Sequence, residues 1–458
     1  MNNWKKIKLS EVTSKIGDGL HGTPIYTKDG DYFFINGRNL LGRIILDNDT
    51  KRVNLSEYEK YKKDLNNRTL LVSINGTLGN IAEYNNEKII LGKSACYLNI
   101  LEHVNKDYIK YILINNNFQS YLNMVATGTT IKNVSLRQMR DYEFKLPNSE
   151  IQQKIVNILK PLDDKIILNT QTNQTLEQIA QAIFKHWFID FAPVHAKANA
   201  LARGETIEQA ELAAMACLSG KTVDKITALK AQDPTAYHQL QQTAAAFPSE
   251  FVETEMGQVP RGWERTTLTH ICEMKNGYAF KSKEWTDEGI PVIKIGSVKP
   301  MLIELDNGSF VAAENETLRA DFLASEGDIL VGLTGYVGEV GRIPYQEKAM
   351  INQRVAKFMP KKITETMNYY CFIYCLARQK EFKAFTEMNA KGSAQANIST
   401  KEILSYPVII ATKEIHIAFE NTVKNLLDKI IVNSGENSTL AKTRDELLPR
   451  LLSGEIEL

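Results

Sequence analysis

Apolar side chains recur at helical spacing in two stretches of the chain. In the first stretch they step by four, three, four and four residues, through Ile151, Ile155, Ile158, Leu162 and Ile166. The second stretch has a matching seam of Ile415, Phe419, Leu426 and Ile430. Such a seam is the contact face of a packed helix. A lone amphipathic helix cannot bury its seam, so we expect the two helices to pack on each other, antiparallel.

Proline and polar residues indicate where the two helices begin and where they could break. Pro147, Asn148 and Ser149 form a stop and a cap before the first helix, which we place at residues 149–189. We place the second helix at residues 413–458. Pro161 could kink the first helix. The Asn-containing stretches 169–173 and 433–437 look like breaks, so the pattern also allows each helix to be two segments.

A strand-rich stretch precedes each helix. In residues 1–148, short β-prone runs at 32–35, 69–74 and 95–100 alternate with Gly, Asn and Asp, and a helix is predicted near 107–124. Residues 259–412 show the same mixture, with a helix predicted near 366–388. We therefore expect a mixed, mainly β domain at 1–148 and another at 259–412.

The two halves of the chain repeat each other in sequence. An offset of 259 carries Trp4, Leu9, Gly30, Gly37, Gly76 and Gly79 onto Trp263, Leu268, Gly289, Gly296, Gly335 and Gly338. An offset of 264 carries residues 150–169 onto 414–433, with ten of twenty positions identical. One chain thus carries two similar surfaces related by a pseudo-two-fold. B-DNA suits such a protein, because half-sites repeat along a duplex at one-turn spacing.

Residues 190–258 resemble neither repeat. Ala- and Glu-rich runs at 196–202 and 206–218 are helix formers, residues 235–247 also look helical, and residues 256–262 read as a loop. The predicted fold is α+β: two similar mixed, mainly β domains separated by two long antiparallel packed helices, with residues 190–258 as a helical and loop connection.

Composition limits the kinds of partner and the cellular compartment that we expect for this protein. The 458 residues include 55 Lys and Arg against 54 Asp and Glu, so any nucleic-acid contact depends on a local basic face. Five widely spread cysteines fit a reducing compartment. Neither a membrane-spanning run nor a signal peptide is apparent. We expect a soluble cytoplasmic protein with no membrane contact.

Several segments, in the same order twice over, resemble the specificity (S) subunits of type I restriction–modification enzymes, the HsdS family. Each half has an apolar strand leading into a Gly-x-x-Gly turn, at Gly76 and Gly79 and again at Gly335 and Gly338. The other matching segments are GTTIKNVSLRQM and GSAQANISTKEI, the two helices, FKHWFIDFAPV, FPSEFVETEMGQVPRGWE and ELLPRLLSGEI. The resemblance covers essentially the whole chain.

The resemblance implies that this chain recognises DNA and does not itself catalyse a reaction. The two mixed domains would be target recognition domains, each reading one half of a bipartite, asymmetric site on double-stranded DNA. The paired helices would hold them apart and bind the methyltransferase (M) subunits, expected as two copies. Restriction (R) translocase/nuclease subunits would also bind. This chain would carry no cofactor, while S-adenosylmethionine for N6-adenine methylation and ATP with Mg²⁺ would belong to the partners.

Four polar loops in each half supply the candidate DNA contacts. In the first half the candidates are His21, Thr23, Arg38, Asn39, Arg43, Lys93, Ser94, Thr129, Thr130, Lys132 and Asn133. In the second half they are Tyr278, Lys281, Ser282, Lys294, Ser297, Gln353, Arg354, Ser393, Gln395 and Asn397. The alternative is that these are ordinary surface loops and turn caps. Likewise, the Gly-x-x-Gly pairs could let backbone approach DNA or simply form hairpin turns.

Other motifs carry little chemistry. Cys371 and Cys375 lie four apart on an aromatic helix without nearby His, which favours core packing over a metal site. Gly220-Lys221-Thr222 lacks the rest of a phosphate-binding loop. We find no amino-methyltransferase tetrad and no S-adenosylmethionine loop, so a non-catalytic subunit is favoured. The alternatives are a self-contained DNA-modifying enzyme, or a fragment of one, and a coiled-coil scaffold whose domains bind protein.

Overall fold

The computed structural model describes residues 4–47, 49–254, 257–305, 308–392 and 395–458. The chain divides into two compact units. The first unit comprises residues 1–167 with 438–458, and the second comprises residues 168–437. Both units combine mixed sheets with helices, so the predicted α+β class is confirmed. Among the described residues, no helix is both long and apolar enough to cross a membrane.

The first unit contains a five-stranded sheet, a four-stranded sheet and one further pair of strands. The order in the five-stranded sheet is Thr13–Asp18, Ala95–Ile100, Thr69–Ser73, Ile81–Glu83 and Leu40–Ile44. The order in the four-stranded sheet is Tyr26–Thr27, Arg52–Val53, Tyr32–Ile35 and Ile89–Leu91. Lys5–Lys8 pairs with Glu143–Leu146. The shorter helices are Leu55–Tyr61, Lys106–Ile114, Asn116–Val125 and Leu136–Asp141.

The second unit repeats this topology. One five-stranded sheet has the order Cys272–Asn276, Val355–Pro360, Ile329–Gly332, Val340–Arg342 and Met301–Leu302. The other has the order Trp285–Thr286, Phe310–Val311, Ile290–Ile293, Lys348–Ile351 and Leu323–Ser325. The strand pairs are Glu264–Thr267 with Pro407–Ile410, and Lys362–Thr364 with Met367–Asn368. The shorter helices are Asn315–Leu318, Tyr370–Ala377, Lys380–Asn389 and Thr400–Leu404.

The connecting segment is more helical than predicted. Its helices are Ala192–Ala202, Ile207–Ser219, Val223–Gln232 and Pro234–Ala246, of which the third was not predicted. The prediction of a loop over residues 256–262 is wrong for Gly257–Pro260, a strand that pairs with Phe251–Thr254. Met256 lies outside the described residues.

Two long helices carry the predicted seams. The central helix is Ser149–Phe184 and the C-terminal helix is Lys413–Ser453. Ile155, Ile415, Phe419 and Ile430 are fully buried. Ile151, Leu162, Ile166 and Leu426 are half-buried. Ile158 is wrongly placed in the seam, because the side chains that turn inward beside it are Val156 and Leu159.

The predicted breaks at 169–173 and 433–437 are also wrong, because both helices continue through them. In the second unit the asparagines pair across the helices. The amide of Asn169 donates to Asn437 Oδ1 at 3.0 Å, and that of Asn433 donates to Asn173 Oδ1 at 2.7 Å. The earlier residue of the central helix, Asn169, pairs with the later residue of the C-terminal helix, Asn437, and Asn173 pairs with the earlier Asn433. The helices are therefore antiparallel here. These buried bridges replace apolar contacts and fix the register.

In the first unit an ion pair joins the two long helices. Arg444 Nη1 lies 2.8 Å from Asp163 Oδ1, and Tyr111 Oη donates to the other carboxylate oxygen at 2.8 Å. Leu448, Leu451 and Leu452 of the C-terminal helix belong to the first unit's core together with Ile155. Each unit therefore contains its own section of packed helix pair.

Candidate nucleic-acid interface

In the first unit, the predicted loops meet around residues 92–94. The Leu20 N–H donates to Leu91 O at 2.6 Å, which brings in the loop at 17–26. The Gly92 N–H donates to Ile35 O at 2.8 Å beside the turn Gly37–Asn39. The Ile74 N–H donates to Ser94 O at 2.9 Å, next to the first Gly-x-x-Gly turn. Backbone hydrogen bonds thus gather loops that are distant in sequence.

The second unit has the same arrangement at corresponding positions. The Tyr278 N–H donates to Ile351 O at 2.8 Å, and the Asn352 N–H donates to Ile293 O at 3.1 Å. The Leu333 N–H donates to Arg354 O at 2.9 Å. The repeat in sequence is therefore a repeat of the loop scaffold.

The fourth loop of each unit is fastened to the Gly-x-x-Gly turn. In the first unit, the amide of Asn75 donates to Asn133 Oδ1 at 3.0 Å. In the second unit, the hydroxyl of Thr334 donates to Asn397 Oδ1 at 2.7 Å. Sequence reasoning missed Asn75 and Thr334, although the offset of 259 that relates the glycines also relates these two positions.

All four turn glycines have positive φ. The values are +76° at Gly76, +81° at Gly79, +74° at Gly335 and +75° at Gly338. Residues other than glycine adopt this left-handed backbone region only with strain. A Cβ at Gly79 would also collide with Gln119, and one at Gly338 with the hydroxyl of Thr386, whereas Gly76 faces open space. The second glycine of each turn therefore fits against a helix.

The difference between the two glycines of the second turn gives a testable result. We expect Gly335→Ala to cost about 1 kcal/mol of unfolding free energy from φ alone. Gly338→Ala should cost about 3 kcal/mol, because it also displaces fully buried Thr386. Denaturant unfolding of the two variants measures the difference. Equal losses would contradict the packing of Gly338 on the helix Lys380–Asn389.

Most candidate contacts lie at the surface. The exposed ones are His21, Thr23, Arg38, Arg43, Lys93, Thr129, Thr130, Lys132, Lys281, Ser282, Lys294, Gln353, Arg354, Gln395 and Asn397. Ser94, Asn133 and Tyr278 are half-buried. Ser393 lies outside the described residues. The backbone bonds between the loops bring candidates from all four loops of each unit together, but Arg43 lies within the strand Leu40–Ile44, opposite Glu83.

Asn39 and Ser297 are corrections to the set. They are 4% and 3% exposed, respectively. Asn39 Oδ1 accepts from the Asn36 N–H at 2.9 Å, and its amide donates to Ile45 O at 3.0 Å. Ser297 Oγ accepts from the Lys294 N–H at 3.4 Å. Because these buried side chains hold equivalent turns together, they position the loop instead of lying at its exposed surface.

Several basic side chains of the loops already contact another residue of the chain. His21 Nε2 lies 2.6 Å from Asp18 Oδ2, and Lys294 Nζ lies 4.3 Å from the centre of the Trp285 ring. Lys391 Nζ lies 2.7 Å from Glu402 Oε1, and its hydrogen bond lowers the pKa of the Glu402 carboxyl to about 2. These contacts orient the basic side chains at the edge of the loops without burying them.

Arg319 is a positioning residue that no sequence pattern indicates. Its guanidinium lies 4.4 Å from the centre of the Tyr278 ring and donates to Glu284 Oε1 at 2.6 Å. Tyr278 and Glu284 belong to the first loop of the second unit. The stack and the ion pair together hold that loop against the sheet.

The remaining chemical motifs contribute to the core. Cys371 and Cys375 are fully buried in the second unit, and burial raises the pKa of the Cys371 thiol well above its ordinary value. Such thiols are unreactive. Within the described parts of the chain, no group of three or more His, Cys, Asp or Glu side chains could hold a metal ion.

Comparison with known proteins places the repeat in a family. A family model described as the type I restriction modification DNA specificity domain matches residues 1–178 and again residues 260–438. The type I restriction enzyme HindI specificity subunit of Haemophilus influenzae is 36% identical over 363 residues, covering 76% of this chain and 77% of the relative. The type I restriction enzyme MjaIX specificity subunit of Methanocaldococcus jannaschii is 25% identical over 403 residues, covering 85% and 78%.

A solved structure is also similar. The crystal structure of a type I restriction–modification system S subunit from M. genitalium matches with a TM-score of 0.48 at 20% identity. The match covers 98% of this chain and 97% of that chain.

Proposed function

The chain belongs to the type I restriction–modification DNA specificity family, and we propose that its two loop clusters read the two halves of one bipartite, asymmetric DNA site. It is the specificity subunit of a type I restriction–modification system, a DNA-recognition component rather than a catalyst. The observation that carries the proposal is the loop scaffold, built twice with the same backbone bonds and different exposed side chains.

The different side chains explain why the two half-sites should differ. In the third loop, the first unit presents Lys93 where the second unit presents Gln353 and Arg354. Arg pairs with guanine edges and Gln with adenine edges, whereas a Lys can contact guanine or phosphate. Two loop clusters of different chemistry on one backbone plan favour an asymmetric pair of recognised sequences.

We propose that the long helices serve as the spacer and as the docking site for two methyltransferase subunits. The polar surfaces of these helices carry exposed apolar side chains. Ile158 is 36% exposed in the first unit, and Ile179 and Val432 are 43% and 47% exposed in the second. These side chains would be removed from water if a protein partner covered the helices, and that burial would favour association. Restriction subunits would join the same complex, and S-adenosylmethionine, ATP and Mg²⁺ would be bound by the partners.

Exchanging one mixed domain tests the assignment of half-sites. A chimaera carries residues 1–148 from another family member and keeps residues 149–458. We expect methylation sequencing of cells with this chimaera and its methyltransferase to show one altered half-site and one unchanged. The reciprocal chimaera, exchanged at 259–412, is the matched control and should alter the other half-site.

Two results would count against the proposal. Alteration of both half-sites by either chimaera would show that the domains do not read separately. Methyl transfer by the purified chain alone would instead favour a self-contained DNA-modifying enzyme.

A further inference from the structure

The second Gly-x-x-Gly turn presents one aromatic ring to solvent. Tyr336 is 71% exposed, while the next residue, Val337, is 3% exposed and packs in the core of the second unit. A large exposed ring at the tip of a short turn buries little on folding. Tyrosine combines an apolar ring with a polar hydroxyl and is enriched at interfaces, so this exposed ring is available for a contact with a ligand.

The turn that carries Tyr336 is held firmly. The Gly338 N–H donates to Gly332 O at 3.0 Å, and the Gly332 N–H donates to Glu339 O at 2.9 Å. The Gly335 N–H donates to Ala396 O at 2.9 Å. Because the backbone is fixed and a tyrosine has only two side-chain torsions, little entropy would be lost when the ring meets a ligand.

The turn that carries Tyr336 is bonded to the third and fourth loops of the candidate interface. Leu333, three residues before Tyr336, is bonded to the backbone of Arg354, and the adjoining Gly335 is bonded to the fourth loop. Arg354 Nη1 lies 3.5 Å from Gln395 Oε1, and both side chains are exposed. An aromatic ring on a turn that is bonded to the loops of this guanidinium and this amide adds an apolar contact to their polar ones.

The first unit builds the same turn with a different tip. The Gly79 N–H donates to Ser73 O at 2.9 Å, and the Gly76 N–H donates to Lys132 O at 2.9 Å. The exposed residue between the two glycines is Thr77, and the half-buried Leu78 takes the position that Val337 has in the second unit. The two units therefore share the backbone of the turn and differ in the side chain at its tip.

We infer that the residue after the first turn glycine is a DNA-contacting, specificity-determining position in each unit. In the second unit, Tyr336 lays its ring against a nucleobase or its deoxyribose within the second half-site. In the first unit, Thr77 occupies the same place and contacts the duplex with a hydroxyl and a methyl group. This inference rests on the proposed function and adds a residue to it.

Binding and methylation by the assembled complex with its methyltransferase test the inference. We expect Tyr336→Thr to weaken binding of the recognised duplex about 10- to 100-fold, the range of one lost specific contact. Tyr336→Phe should stay within about threefold, because it keeps the ring. The matched control is Tyr345→Thr in the same unit. Tyr345 is 37% exposed and lies against Gly435, away from the loops.

Two further readouts separate a direct contact from an indirect effect. Methylation sequencing of Tyr336→Thr should show relaxed preference at one position of the second half-site and an unchanged first half-site. Photocrosslinking with 5-iodouracil placed in turn along the second half-site should yield a crosslink to Tyr336. The melting temperature of the complex should not move, because the side chain is exposed.

The outcomes distinguish the inference from the function on which it rests. If the wild-type complex recognises no defined DNA site, the proposed function itself fails. If the wild type has a defined site, but Tyr336→Thr binds and methylates it as the wild type does, the role of Tyr336 is overturned and the proposed function stands. Crosslinks to other residues of the unit at every position, and never to Tyr336, would also overturn it.

Discussion

Replacing Ile430 with aspartate is expected to unfold the helix pair of the second unit and to abolish recovery of the complex with the methyltransferase. Ile430 is fully buried in a core that also contains Phe184, Phe419 and Leu427. An aspartate there would have to be buried without a partner or would be protonated, and loss of the larger isoleucine side chain would leave a cavity. We expect a loss of about 4–5 kcal/mol, a large fraction of the total stability of a domain.

The matched control lies two residues along the same helix. Val432 is 47% exposed, so Val432→Asp makes a similar charge change and should alter the unfolding free energy by less than about 0.5 kcal/mol. Denaturant unfolding and co-purification separate two roles. A stable Val432→Asp chain that no longer binds methyltransferase would place the partner on this face. Recovery of Ile430→Asp at wild-type yield and stability would refute the packing role.

The helix pair shows where local pattern is sufficient and where it fails. Ile155 and Ile430 were predicted correctly, because burial of a helix face repeats every three to four residues. Asn169 and Asn173 were misread as a break, because a local pattern treats polar residues as exposed. Their partners are more than 250 residues away in sequence, beyond any window of periodicity.

The internal repeat nevertheless held the missing signal. The offset of 264 carries Asn169 onto Asn433 and Asn173 onto Asn437. The bridge between 169 and 437 is therefore the symmetry counterpart of the bridge between 173 and 433. Two antiparallel copies of one helix that cross at a pseudo-two-fold must pair in this reciprocal way. Polar residues repeated at such positions predict a buried bridge rather than a break.

The candidate interface was predictable as a set of loops but not residue by residue. The repeat located the loops, because both halves must fold the same way. It did not separate Asn39, which is buried and bonded to its own turn, from Arg38, which is exposed. Polar residues of turns and polar residues of binding surfaces have the same composition. Arg319 escaped notice because its partners are Tyr278 and Glu284, which are 41 and 35 residues away.

Lengthening both long helices together is expected to lengthen the unspecified gap between the half-sites. We propose inserting seven helix-forming residues after Leu168 in the central helix and seven after Asn437 in the C-terminal helix. These points lie between the Asp163–Arg444 ion pair of the first unit and the Asn169–Asn437 bridge of the second. A matched insertion therefore leaves each set of contacts in register. Seven residues add about 10.5 Å and come within about 20° of two full turns.

On B-DNA, which rises about 3.4 Å per base pair, this length corresponds to about three additional base pairs in the gap. Methylation sequencing of cells carrying the double insertion and its methyltransferase measures the gap directly, and both half-sites should keep their sequences. The control is the insertion in the central helix alone. It takes Asp163 out of register with Arg444 while the asparagine bridges stay paired, so we expect a destabilised chain with little methylation. If the double insertion yields an active complex that methylates the original gap, the helices do not set the spacing.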